Sequence, residues 1–283
     1  LLDLSRVEIL RGPQGTLAGK NSIGGAVKLY SVKPDGNGGG YVEATTGSYN
    51  RLDLRGAADF TVVPDRLFVR VSGVTRHRDG YLTRYDFNCT HPGGPTTPSA
   101  GASSGDCKIG AEGDKNYTAG RIAARWIASD NIEINLAADR LVDDSEPAAT
   151  KLLSLNADPA STPGAPDRSV FVTCLHCYSN YSTYTTPGFT DPANYLGRPG
   201  AGTHPETNLP TTNRIRAWDF AGTIDIKLPN SMSIKAITGY QYTNGLYTTD
   251  NDGTPYGISN GVFGMKYKQF TQEIRLSGDI GRS

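Results

Sequence analysis

The 283-residue sequence predicts an all-β chain, part of a transmembrane antiparallel β-barrel. Three observations carry that prediction. From residue 41 onward, apolar and polar residues alternate with period two over long stretches, the mark of strands with one apolar and one polar face. The stretches so marked reach the roughly 9 to 11 residues needed to cross a bilayer at a tilt, beyond the roughly 5 to 6 of an average globular strand. Their connections alternate between tight turns and long loops, as in outer-membrane barrels, where short turns face the periplasm and long loops face outward.

Composition points the same way. Hydrophobic residues make up 37%, and 34 Gly, 17 Pro and 15 Tyr favour turn-rich β-structure over a large α/β enzyme. The 28 basic and 28 acidic residues cancel, so no global field directs the chain to nucleic acid, which is not an expected partner. No apolar run of 18 residues marks a transmembrane helix, and no signal peptide opens the chain. The abrupt start LLDLSRVEIL is expected to belong to an internal piece of a longer protein.

Taken in order, residues 7 to 27 place two short apolar runs around a glycine-rich segment, VEILRGPQGTLAGKNSIGGAV. Strands are then predicted over 41–49, 51–61, 66–77, 115–128, 131–143, 213–228, 231–247 and 266–278. Ile132, Ile134, Leu136 and Ala138 alternate with Glu133, Asn135 and Asp139, and Trp218, Phe220, Ile224 and Ile226 with Asp219, Thr223 and Asp225. Tight turns are expected at Val63-Pro64-Asp65, Ser129-Asp130 and Pro229-Asn230, and long loops at about 77–114, 144–212 and 248–265. Tyr49-Asn50 is the one short turn on the long-loop side. On the apolar phase, Phe60 and Trp126 precede short turns, whereas Trp218, Tyr240, Tyr242 and Phe270 fall beside long loops, which predicts aromatic girdles at both membrane interfaces.

Residues 3 to 17, Asp-Leu-Ser-Arg-Val-Glu-Ile-Leu-Arg-Gly-Pro-Gln-Gly-Thr-Leu, followed by Gly19-Lys20-Asn21 and Gly24-Gly25-Ala26-Val27, closely resemble the end of the plug domain of TonB-dependent outer-membrane receptors. Tyr41-Val42-Glu43, Gly47-Ser48-Tyr49-Asn50, Arg78-Asp79-Gly80-Tyr81 and Gln272-Glu273-Ile274-Arg275-Leu276-Ser277 look like the first, third and eighth barrel strands of that family. The resemblance implies a plug inside a 22-stranded barrel, of which the chain holds about eight strands. Residues 1–35 would end the plug, with Arg11, Gly12, Pro13, Gly15, Gly24 and Gly25 forming its motif, and the glycines letting the backbone turn sharply against the inner wall. Residues 36–40 would be a Gly-rich hinge, and 41–283 the first part of the barrel.

The family's function implies a receptor in the outer membrane of a Gram-negative bacterium. It would import a scarce solute with TonB and an inner-membrane motor as partners, reached through an upstream segment, and with no cofactor. An iron-siderophore complex is the leading substrate class; oligosaccharides, cobalamin, or a passive channel or adhesin role are the alternatives. Family plugs are held to the wall partly by Arg-Glu pairs, and Arg11 and Glu273 resemble such a pair, with Arg275 as the competing partner for Glu273.

Enzyme chemistry is not expected. Gly36-Asn37-Gly38-Gly39-Gly40 lacks a P-loop's Lys and following helix, and no Gly-x-Ser-x-Gly or His-Glu-x-x-His occurs. Cys174-Leu175-His176-Cys177 has metal or redox spacing without a second pair at a zinc-site interval. Cys89 with Cys107 and Cys174 with Cys177 each share one external loop, so two intraloop disulfides are the plain reading, with free thiols or a metal site as alternatives. Tyr178, Tyr181, Tyr184, Phe189 and Tyr195 crowd the longest loop, where the rings either stack on a ligand or pack the loop on itself.

Overall fold

The computed structural model describes residues 3–15, 24–85, 108–149, 213–250 and 260–279, with four two-residue strands between 185 and 208. The chain opens on an antiparallel hairpin, β1 (Leu4–Arg11) and β2 (Gly25–Ser31). Pairing sets Val7 opposite Leu29 and Ile9 opposite Val27, so its apolar residues form one exposed face. On the other face Glu8 accepts hydrogen bonds from Arg6 Nε (2.8 Å) and from the Tyr30 hydroxyl (3.0 Å). These two donors hold the Glu8 carboxyl below the usual glutamate range.

Eight long strands follow in one antiparallel sheet. They are β3 (Gly40–Gly47), β4 (Arg51–Val63), β5 (Leu67–Arg78), β8 (Lys115–Ser129), β9 (Ile132–Ser145), β14 (Asn213–Lys227), β15 (Ser233–Asp250) and β16 (Asn260–Ser277), in spatial order β16-β15-β14-β9-β8-β5-β4-β3. Chain order and spatial order coincide, as in an up-and-down barrel. β3 and β16 are not paired with each other, so the sheet is an open arc and the barrel is partial. A hairpin of β6 (Leu82–Tyr85) and β7 (Lys108–Glu112) lies outside the sheet, and β10 (Thr185–Thr186), β11 (Phe189–Thr190), β12 (Thr203–His204) and β13 (Thr207–Asn208) pair among themselves.

Turn chemistry fixes the registers. Tyr49 and Asn50 both take positive φ (61° and 53°), as do Asn230 and Ser231 (59° and 56°), the geometry of tight turns that match strand twist. Asp65 is also left-handed (φ 59°), and Arg66 N donates to Val63 O at 3.1 Å.

Those registers give the sheet two chemically distinct faces. One row runs Asp59, Arg70, Ala123, Ala137, Ala221, Gly239, Thr271 across seven strands. A row of the opposite phase runs Leu67, Trp126, Ile134, Ile224, Ala236, Ile274. The second face carries the exposed large apolar residues, among them Leu54, Phe60, Ile122, Trp126, Trp218, Phe220 and Phe270. It is the face a bilayer covers. Buried apolar residues are few and sit mostly on the first face, including Ala57, Phe68, Val74 and Ala123.

Two expectations need correction. β15 extends to Asp250 and β16 begins at Asn260, so strand occupies both ends of the predicted loop 248–265, and 251–259 lie outside the described residues. Gly261 and Gly264 hide the strand signal in β16, and cross-strand pairing from Leu246↔Gly264 to Asp250↔Asn260 overrides them. In consequence Tyr240, Tyr242 and Phe270 lie mid-strand, and the strands continue above the outer girdle.

Candidate functional site at the inner wall

The hairpin joins the inner face of the arc through one arginine. Arg70 on β5 donates from Nε (2.5 Å) and Nη2 (2.9 Å) to both carboxylate oxygens of Asp3, the residue that precedes β1. Its Nη1 reaches Asp59 Oδ2 on β4 at 3.3 Å. The Asp3 and Asp59 side chains are 6% and 1% exposed and Arg70 12%, so one guanidinium holds two carboxylates away from water. Asp3 sits at φ 52°, and its carbonyl accepts from Val32 N at 2.9 Å, closing the open end of the hairpin.

Asp59 also receives Gly36 N on Oδ1 (2.9 Å), and Thr61 Oγ1 donates to Gly36 O (2.9 Å). Gly36 takes φ 79°, and a Cβ there would fall 2.3 Å from the Phe68 ring, so only glycine fits. Arg70, Asp59, Thr61 and Phe68 thus hold the hairpin's entry and its exit to the wall at one place. The sequence singled out none of these. Asp3 and Gly36 fell inside recognised stretches, but a pairing across 67 residues leaves no local signal.

Between the hairpin's outgoing strand and the wall lies an open cleft of about 500 Å³, lined by Tyr30, Lys33, Arg121, Asn135, Ala137 and Thr223 among others. Small residues in the Ala123-Ala137-Ala221 row leave this space. Charges on the wall are paired: Arg121 Nη1 donates to both oxygens of Asp139 (3.0 and 2.9 Å), and Arg125 to Glu133 (2.9 Å).

At the outer end, the two motifs that resembled barrel strands meet. Asn50 Nδ2 donates to Asp79 Oδ2 (2.6 Å), Asp79 N to Tyr49 O (2.8 Å), and the Tyr49 and Tyr81 rings meet edge-on at 6.3 Å. Arg78 donates to Gly113 O and lies 5.5 Å from the Tyr81 ring. Burial raises the carboxyl of Asp114, next in the chain, although Glu146 N donates to it.

Of the predicted motif, Arg11 ends β1 and Gly12, Pro13 and Gly15 follow it, while Gly24 precedes β2 and Gly25 opens it. Gly25, at φ 138°, approaches the backbone of its own partner strand, where a Cβ would meet Leu10 O at 2.3 Å. The close approach to the barrel wall falls to Gly36. Glu273 lies on the inner phase as expected, but its carboxylate is paired with Arg275, and Arg11 is not brought to it. Cys89, Cys107, Cys174, Cys177, Tyr178, Tyr181, Tyr184 and Tyr195 lie outside the described residues, and of Phe189 only the backbone of β11 is described.

An antiparallel arc with a lipid-compatible outer face and a hairpin pinned to its inner face defines a plugged outer-membrane barrel. No protein-family profile matches the chain. The chain is 39% identical over 84 residues to the ferrioxamine B receptor of Salmonella typhimurium, a match spanning 28% of this chain and 12% of that protein. It is 46% identical over 48 residues to the pesticin receptor of Yersinia pestis, 17% of this chain and 7% of that protein. Among solved structures, the ferric yersiniabactin uptake receptor of Yersinia pestis superposes with a TM-score of 0.61 at 18% identity, covering 99% of this chain and 34% of the receptor. The open form of the ferric-catecholate import receptor of E. coli K12 gives 0.59 at 12% identity, covering 98% of this chain and 36% of that one. The chain therefore spans about a third of the solved receptors it matches. It shares the fold of these receptors, and over 84 and 48 residues its sequence is similar to the ferrioxamine B and pesticin receptors.

Proposed function

We propose that the chain is the plug end and first barrel strands of a receptor that binds an iron-siderophore complex outside the cell and imports it actively. The observation that carries this reading is the Arg70 clamp. A plug segment held to the inner wall by a buried, ion-paired cluster blocks a barrel at rest and opens only when work is done on it. The likeness to receptors named for ferrioxamine and ferric yersiniabactin supports the substrate class.

In this reading TonB and its motor pull the plug from upstream of Asp3, and tension reaches the Asp3-Arg70 pair before the hairpin. Residues 36–40 act as the hinge that keeps the hairpin tethered to β3. The residues on the inner wall bind and release the plug, and no covalent bond is made or broken, so the protein is no enzyme. Cells expressing the full-length gene should take up ferric siderophore under iron limitation and stop when the proton gradient is collapsed. Uptake that survives collapse of the gradient would overturn the reading.

A further inference from the structure

The outward face carries a feature that the transport reading does not use. Arg140, Trp218, Tyr242 and Lys268 are register partners in one row across β9, β14, β15 and β16. The Arg140 guanidinium lies 4.1 Å from the Trp218 ring centroid, and Lys268 Nζ lies 5.8 Å from that of Tyr242. Two residues closer to the short turns, the same strands present Ala138, Phe220, Tyr240 and Phe270, with no charge. Two residues further out they present Val142, Arg216, Asn244 and Lys266. Positive charge thus begins where the aromatic band ends. Arg216 is paired with Asp144 at 2.5 Å, whereas Arg140, Lys266 and Lys268 have no carboxylate partner among the described residues.

Height places this row. Arg140 is eight residues beyond Ile132, the turn-side end of β9, which is about 26 Å along the strand and about 20 Å of height at a tilt near 40°. That nearly spans the apolar band, so the cations stand at the outer headgroup level, with eight further residues of β15 above Tyr242. A cation facing hydrocarbon is costly, and here Arg140 and Lys268 each have a ring beside them in the same row that holds the charge at the interface. Arg140 Nη1 donates to Ala217 O at 3.5 Å, and the other edge donors of a guanidinium over an indole can fork onto phosphate oxygens. Arg140 and Lys268 are three strand spacings apart, about 14 Å, the width of a bulky headgroup.

We infer that this row is a binding site for phosphate-bearing lipid headgroups of the outer leaflet. The inference rests on the outer-membrane location and is independent of what the receptor transports. The test is native mass spectrometry of the full-length receptor in uncharged detergent, titrated with phosphatidic acid and, as reference, phosphatidylcholine. The wild type should prefer phosphatidic acid by about tenfold. Arg140→Gln with Lys268→Gln should abolish that preference, and Arg140→Lys with Lys268→Arg should retain it. If the glutamine pair fails to assemble, Lys266→Gln with Lys268→Gln, which leaves Arg140 in place, should still lower the preference about threefold. An undiminished preference in the glutamine variants would overturn the inference. Displacement of phosphatidic acid by equimolar inorganic phosphate would do so too, since it would reveal a free-anion site.

Discussion

The inner and outer faces of the barrel sheet come from the same eight strands, yet they are held by opposite physics. The inner face is tied together by paired charges that cross between strands and reach into the plug hairpin: Arg70 with Asp3 and Asp59, Arg121 with Asp139, Arg125 with Glu133. The outer face has apolar rows that stay exposed until lipid covers them. A soluble sandwich would bury such rows against a second sheet. Here the solvent itself is apolar on one side, so stability is split between protein pairs within and lipid without.

Breaking the inner face at its most buried point should have the largest effect. Arg70→Met in the full-length receptor leaves Asp3 and Asp59 as adjacent unpaired carboxylates, and should cost about 3 to 5 kcal/mol. Thermal unfolding of the receptor would measure the loss, and entry of large antibiotics into cells would report the loosened plug. Asp3→Asn with Asp59→Asn in the Arg70→Met background should recover part of it, because no buried charge is then left alone.

Breaking the outer face should come next. Leu136→Lys, on the lipid face four residues above the turn-side end of β9 and so nearer mid-band, should cost about 2 to 4 kcal/mol, whereas Ala137→Lys, one residue away on the inner phase, should cost about 1 kcal/mol or less. Equal losses in urea unfolding from lipid vesicles would show the two phases to be exchanged.

Gly36→Ala probes the junction of the hairpin with the inner wall. The positive φ and the Phe68 ring together should cost about 1 to 3 kcal/mol, and Phe68→Ala in the same chain should relieve the steric part, as judged by melting temperature.

The exposed pairs should give the smallest effects. Glu273→Ala removes the partner of Arg275, both in contact with solvent, and antibiotic entry should stay at the wild-type level. Parallel leakage from Glu273→Ala and Arg11→Ala would restore the Arg11-Glu273 lock that the described structure does not make. Glu8 offers a pH test. Its carboxyl lies below the ordinary value of 4.5, so its pairing with Arg6 and Tyr30 stabilises the fold above that pH and is lost as pH falls through the lowered value. The stability difference between wild type and Glu8→Gln should therefore vanish in strong acid and appear as pH rises toward 4.5.

Much of this architecture was legible in the sequence. Period-two alternation is a local property, so the eight strands, their two phases and the short turns at 63–65, 129–130 and 229–230 could be read from single stretches such as Ile132 to Asp139. The plug end was legible because its motif runs almost unbroken from Asp3 to Val27. Local signals failed where glycine interrupted a strand that its neighbour nonetheless extended, as at Gly261 and Gly264 in β16. What only the tertiary structure decided is which charges meet. Asp3 and Arg70 are 67 residues apart, Asn50 and Asp79 are 29, and Arg140 and Lys268 share a row only because two other strands stand between them. Each strand's sequence sets which side chains point inward, but the register of every intervening pair sets their height, and a clamp or a cationic row needs both.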